Sequence, residues 1–159
     1  MEQAQNTANS NVIDKIPPIV HEIIDVLGMR DAEKFIEMCG GLSIKIPTES
    51  FHNNPRIEKI VDCIGYETME KLMFYFGGET VYIPRNHQAL KQLRNERYLS
   101  DFVKLVNDGL SMNMAYITLH PVYGKSDRWA QRLVAANRHR LNLPRRAAKL
   151  SKVKQAALA

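Results

Sequence analysis

The 159-residue sequence has only two cysteines, Cys39 and Cys63, 24 residues apart and without a Cys-x-x-Cys pair. That scarcity excludes a disulfide framework and a cysteine zinc site. No apolar run approaches the roughly 18 residues of a membrane-crossing helix. Met1 to Asn11 is polar, unlike a secretory leader, so a reducing cytoplasm is the expected location. Neither Gly-x-Gly-x-x-Gly nor Gly-x-x-x-x-Gly-Lys-Ser/Thr occurs, which removes the two common phosphate-cradling loops. Acidic residues are missing altogether from Arg128 to the end.

What is present suits one domain or two small ones, because 45% of the residues are hydrophobic and 25% charged. The charge is segregated. Up to Gly124 the net is −4; from Lys125 onward ten basic residues face one acid, Asp127, a net of +9. A near-neutral body with a basic arm fits a polyanionic partner, and a solvated tail is the plainer reading of the same charges.

The first half repeats itself. Ile23 to Pro47 and Ile60 to Pro84 align at an offset of 37, with nine of 25 positions identical. Both copies keep the glycine at Gly28/Gly65, the pair Gly40-Gly41/Gly77-Gly78 and the proline Pro47/Pro84. Each copy reads as a helix ended by glycine in the left-handed cap conformation, a second helix ended by Gly-Gly, and a short strand stopped by proline. In the second strand Val81 and Ile83 point one way, Thr80 and Tyr82 the other. Two strands make no independent sheet, so a second chain supplying more strands, hence a homodimer, is the favoured expectation. Pairing inside one chain under helical cover is the alternative.

The second half is helical. Asn86 starts a long helix to Asp108 with core positions Leu90, Leu93, Phe102, Leu105 and Val106; its polar first half reads as solvent-bridging. Ser111 caps a short helix from Met112 to about His120. Pro121 is expected to end or kink that helix, and His120 stands where a smaller residue would ease packing. Tyr123-Gly124-Lys125 reads as a turn, and Ser126 caps a helix from Asp127 to Arg138. That outline is a helix-turn-helix DNA reader. Trp129, Ala130, Leu133 and Val134 form its apolar face; Arg128, Gln131, Arg132 and Arg138 lie opposite, and Arg and Gln fork onto guanine and adenine edges. An ordinary amphipathic surface helix has the same division. After Asn142 a basic, helix-favouring tail with Arg145 and Arg146 could neutralise phosphates.

Gly77-Gly78-Glu-Thr-Val-Tyr-Ile-Pro84, the earlier Gly40-Gly41 copy and Asn95-Glu96-Arg97 resemble the Mor / C-protein family of Mu-like phage transcription activators. The likeness continues through Asp101-Phe102, Gly109-Leu110-Ser111, Tyr123-Gly124 and Ser126 to Arg132, roughly residues 20 to 135. The resemblance implies a homodimer in the bacterial host cytoplasm, binding double-stranded DNA of dyad symmetry beside a phage promoter and helping host RNA polymerase. It implies a mainly α fold with short β-strands. The expected organisation is a disordered stretch 1–16, a dimerisation domain 17–85, a linker helix and helix-turn-helix 86–139, and a basic tail 140–159. Carried over, Ser126 to Arg132 begin the recognition helix; with the basic charge around and beyond it, where the long tail departs from the family, the expected DNA contacts are Lys125, Ser126, Asp127, Arg128, Gln131, Arg132, Arg138, Arg140, Arg145 and Arg146. Dimer contacts fall to Gly77, Gly78, Val81, Tyr82 and Ile83.

Little enzyme chemistry is visible, and no catalytic residue, metal or cofactor is expected. His21, His52, His87, His120 and His139 are scattered. Cys39 and Cys63 align with Phe76 and Val26, so each reads as an apolar position. The other class of function is a protein-interaction module, such as a repressor or host-defence inhibitor, whose basic arm holds nucleic acid without reading it.

Overall fold

The computed structural model describes residues 14–144. Among them run α1 (Pro18–Leu27), α2 (Met29–Cys39), β1 (Ser43–Lys45), α3 (Pro55–Ile64), α4 (Tyr66–Phe76), β2 (Thr80–Tyr82), α5 (His87–Asn107), α6 (Met112–Tyr123) and α7 (Asp127–Asn137), with a 3-10 turn at Arg138–Arg140. The described residues are mainly helical with two short strands. The chain divides into two compact units, one ending at Arg94 and one beginning at Asn95.

The repeat governs the first unit. Its first three elements recur 37 residues later with the same lengths, which extends the repeat back to Pro18 and Pro55. Both prolines sit in a first helical turn, where the missing N–H costs nothing. The pairs Val20/Ile57, Ile23/Ile60, Leu27/Ile64, Phe35/Leu72 and Cys39/Phe76 are buried in both copies. Gly28 (φ 78°, ψ 162°) and Gly65 (φ 91°, ψ 159°) join the helices of each copy. Their positive φ is combined with an extended ψ, so they are not the left-handed caps expected from the sequence. Only glycine occupies that region comfortably. Gly65→Ala is expected to lower stability by about 1–3 kcal/mol in urea denaturation.

The two copies pair with each other. β1 and β2 run antiparallel, with Ile44 opposite Val81, its own repeat mate. The flanking bonds obey the same two-fold relation: Gly41 N–H donates to the Ile83 carbonyl (2.6 Å) and Gly78 N–H to the Ile46 carbonyl (2.9 Å). Thr68 donates its hydroxyl proton to Asp31, again its mate, at 3.4 Å. α1 packs on α4 and α3 on α2, so helices also cross between copies. The unit is therefore an intrachain pseudo-dimer. The strands pair inside one chain, the alternative rather than the favoured expectation. Ile44, Val81, Ile46 and Ile83 are buried within the single chain, so the missing-strand reason for a second chain lapses.

The start of α5 corrects another expectation. Arg94, placed by its polar neighbours on a solvent-bridging stretch, is buried. It donates to Glu33 of α2 at 2.6 Å, with both side chains under 10% exposed. Arg85 Nε donates to the Gly40 carbonyl at 3.2 Å. Leu90, Leu93, Phe102 and Val106 are core residues as expected; Leu105 is only half-buried, while Tyr98 and Leu99 are core residues that the polar pattern hid.

Candidate nucleic-acid interface

The second unit is built around aromatic rings from α5. Tyr98 meets Tyr123 of α6 edge-on at 5.1 Å and Trp129 of α7 at 5.2 Å; Phe102 stacks on Tyr116 at 5.0 Å. These contacts fix α6 and α7 against one scaffold helix. Ser111 and Ser126 cap α6 and α7 by accepting from the N–H groups of Met114 and Trp129, each at 3.2 Å.

Pro121 does not end α6, which continues to Tyr123. Proline's own φ suits a helix; what it removes is one backbone hydrogen bond. The turn beyond it is held from outside. Tyr123 is buried against Tyr98 and donates its hydroxyl proton to Asp101. Gly124 then takes the left-handed conformation (φ 63°, ψ 27°), and its N–H bonds the His120 carbonyl. His120 is not packed between helices as feared for a large side chain. It is exposed, and its Nδ1 lies 2.8 Å from the Lys125 carbonyl, which ties the end of α6 to the turn.

The turn Gly124 to Ser126 delivers α7. Ala130 and Val134 are buried and Trp129 and Leu133 half-buried; Arg128, Gln131 and Arg132 are exposed, with Ala135 continuing the same face. The spacing of three, four and seven places their side chains in one stripe. Gln131 Nε2 donates to Asp127 Oδ2 at 2.9 Å, so Asp127 orients it across one helical turn. Lys125 is half-buried at the turn; Ser126 and Asp127 are exposed at the N-terminus of the helix. Arg138 is exposed just past α7, where the helix has tightened into the 3-10 turn.

Arg140 is engaged elsewhere. Its guanidinium forks onto Glu96 of α5 at 2.7 and 3.1 Å, and its Nε donates to Asn137 at 2.8 Å. It clamps the end of α7 to α5, a positioning role that sequence reasoning missed. Asp101 and Glu96 were read only as members of a family motif; their partners lie 22 and 44 residues away, so no local pattern could have shown them. The Asp127–Gln131 spacing was visible. Arg145 and Arg146, and most of the tail 140–159, lie outside the described residues, as does most of the stretch 1–16.

The residues expected at a dimer contact lie in the first unit. Val81 and Ile83 are buried within it, Tyr82 is exposed, and Gly77 and Gly78 form the turn into β2. Gly78 has a φ of 85° and faces Thr48, as Gly41 (φ 85°) faces Arg85. Within the chain, Gly78 and Ile83 hydrogen-bond to the first copy and Val81 pairs with Ile44.

Burial raises the phenol pKa values of Tyr98, Tyr116 and Tyr123, and the Asp101 hydrogen bond adds to the rise at Tyr123. A raised folded value means stability is complete below the unfolded value near 10 and is lost as pH rises above it. The melting temperature should be level from about pH 7 to about pH 9 and fall above about pH 10, the loss shrinking in Tyr123→Phe. Burial likewise pushes the Cys39 thiol to about 11, which suits a core residue and not a thiolate nucleophile.

Residues 49–150 match the Mor transcription activator family, more than half of the chain. The chain belongs to that family. The match takes in the second copy of the repeat, all of α5 and the α6–α7 pair, and leaves the first copy outside. No curated protein and no solved structure matches the chain. Membership of a transcription activator family gives this Mor-family chain a role in transcription activation. Among the described residues no helix is long and apolar enough to cross a membrane.

Proposed function

We propose that this Mor-family chain is a phage transcription activator that binds duplex DNA sequence-specifically. α6 and α7 act as a helix-turn-helix, with α7 the reading helix in the major groove. The observation that carries this reading is the exposed stripe Arg128, Gln131 and Arg132, set on a helix whose opposite face is fixed by Tyr98 and Val134. Arg128 and Arg132 are suited to guanine, Gln131 to adenine. Lys125, Ser126 and Arg138 flank the stripe where phosphates would run, and the N-terminus of α7 favours an anion. Arg145 and Arg146 would add affinity without sequence information. Host RNA polymerase is the partner through which such binding would raise transcription.

The resemblance implies a homodimer on a dyad-symmetric site. The repeat closes its own strand pair and each chain brings a single reader, so the two half-sites of a dyad would need two chains. The second reading, a module whose basic arm holds DNA without reading it, draws on the steep charge asymmetry alone. Competition binding separates the two. Duplex from upstream of the chain's own gene should outcompete scrambled duplex by about a thousandfold or more at two salt concentrations. Equal and salt-sensitive binding to both would overturn sequence-specific activation.

A further inference from the structure

The pseudo-dimer provides an internal control for every surface of the first unit. Glu33 and Glu70 are repeat mates at the same point of α2 and α4. Glu33 is buried and receives Arg94 from the first half of α5 at 2.6 Å. Two other positions on the same face of α2, Met29 and Ile36, are 4% and 0% exposed. The mates on α4 are uncovered: Tyr66 is 54% exposed, Glu70 is exposed and Met73 is half-buried. The reason is topological. The chain leaves β2 across the first copy, with Arg85 on Gly40, and continues as α5. It leaves β1 by the related path, with Thr48 against Gly78, but then turns into α3. Phe51 of that loop reaches Tyr66 (ring centroids 5.5 Å apart) and leaves Glu70 exposed.

Glu70 also borders a neighbouring open groove of about 860 Å³, with Phe74 and Tyr75 on α4 and Asp25 and Val26 on α1. Phe74 is 93% exposed, while its repeat mate is Glu37, also exposed. The equivalent position of the first copy carries a charge, and a side chain this exposed is not there for the core. Grouped exposed apolar side chains rimmed by polar ones are what partner-binding surfaces present.

We infer that the groove at Glu70 and Phe74 is a docking site for an amphipathic helix of another protein, one that presents an arginine to Glu70 and an apolar side chain to Phe74. Two observations set that chemistry. The mate of Glu70 already takes an arginine from a helix. The groove walls carry Asp25, Glu67 and Glu70 against Lys71 alone, so a basic helix is complementary. The inference is independent of DNA reading, because the site lies in the first unit.

A labelled peptide of residues 84–98, the segment that delivers Arg94 to Glu33, is the probe for the full chain. Fluorescence anisotropy should show saturable binding, at least tenfold weaker with Glu70→Lys and with Phe74→Asp, and unchanged with Glu37→Lys on the first copy. Reversing the probe's arginine at position 94 to glutamate should restore binding to Glu70→Lys. All three protein substitutions are at exposed positions, and circular dichroism checks their folds. Absence of saturable binding, or binding indifferent to Glu70→Lys, overturns the inference. A wild-type dimer in sedimentation that Phe74→Asp dissociates would assign the groove to a second copy and overturn it too. Displacement of the probe by a peptide of residues 145–159 would assign it to the chain's own C-terminus, with the same consequence.

Discussion

Arg94→Ala should destabilise the first unit by about 3–5 kcal/mol, the cost of breaking a buried ion pair from one side. The Glu33 and Arg94 side chains are 6% and 7% exposed, and their contact is 2.6 Å. Alanine removes this charged partner and leaves the carboxylate in a setting that water does not reach. Urea denaturation of the full chain measures the loss. Replacing both residues with leucine should recover much of it, because two apolar side chains of similar size carry no desolvation cost. Glu70→Gln is the built-in comparison. It alters the repeat mate on an exposed surface and should stay within about 0.5 kcal/mol of the parent. Equal losses from Arg94→Ala and Glu70→Gln would contradict the pseudo-dimer with one covered and one open face.

The second large effect is on DNA. Arg128→Ala and Arg132→Ala should each weaken binding to the preferred duplex by about 1–3 kcal/mol, if each makes one base-reading contact. Binding to scrambled duplex should change far less, because phosphate contacts supply it. Both side chains are exposed and make no core contact, so melting temperature should hold. Arg140→Ala should behave differently. Its bidentate hold on Glu96 positions the end of α7, so specificity should fall together with stability. Titration of both duplexes with each variant, alongside thermal melts, distinguishes reading from positioning.

Much of this architecture was legible in the residues, for physical reasons. The repeat was visible because both copies bury the same core positions, such as Val20/Ile57, Ile23/Ile60 and Phe35/Leu72, and equal burial demands similar residues at equal spacing. Ser111, Ser126 and Gly124 announced the α6–α7 outline because caps and left-handed turns admit few side chains. The partner of each strand was not legible. Alternation says which side of a strand is buried, not which edge it pairs with, so pairing within the chain and between chains looked alike. Pro121 misled because its local penalty is outweighed from outside by Tyr123, buried against Tyr98 and bonded to Asp101. Arg94 misled because its partner lies 61 residues earlier, and a buried ion pair leaves no trace in local polarity. The stripe of Arg128, Gln131 and Arg132 was read directly, since helical spacing and the apolar face of α7 are local properties.

Selection from a random pool of duplexes tests the central claim most directly. The full chain is mixed with randomised DNA, and the retained duplexes are sequenced over successive rounds. Sequence-specific reading through α7 predicts one enriched motif with the wild-type chain and none with Arg128→Ala/Arg132→Ala, at equal protein stability. Retention of DNA with no enriched motif, or the same motif from both proteins, would contradict it.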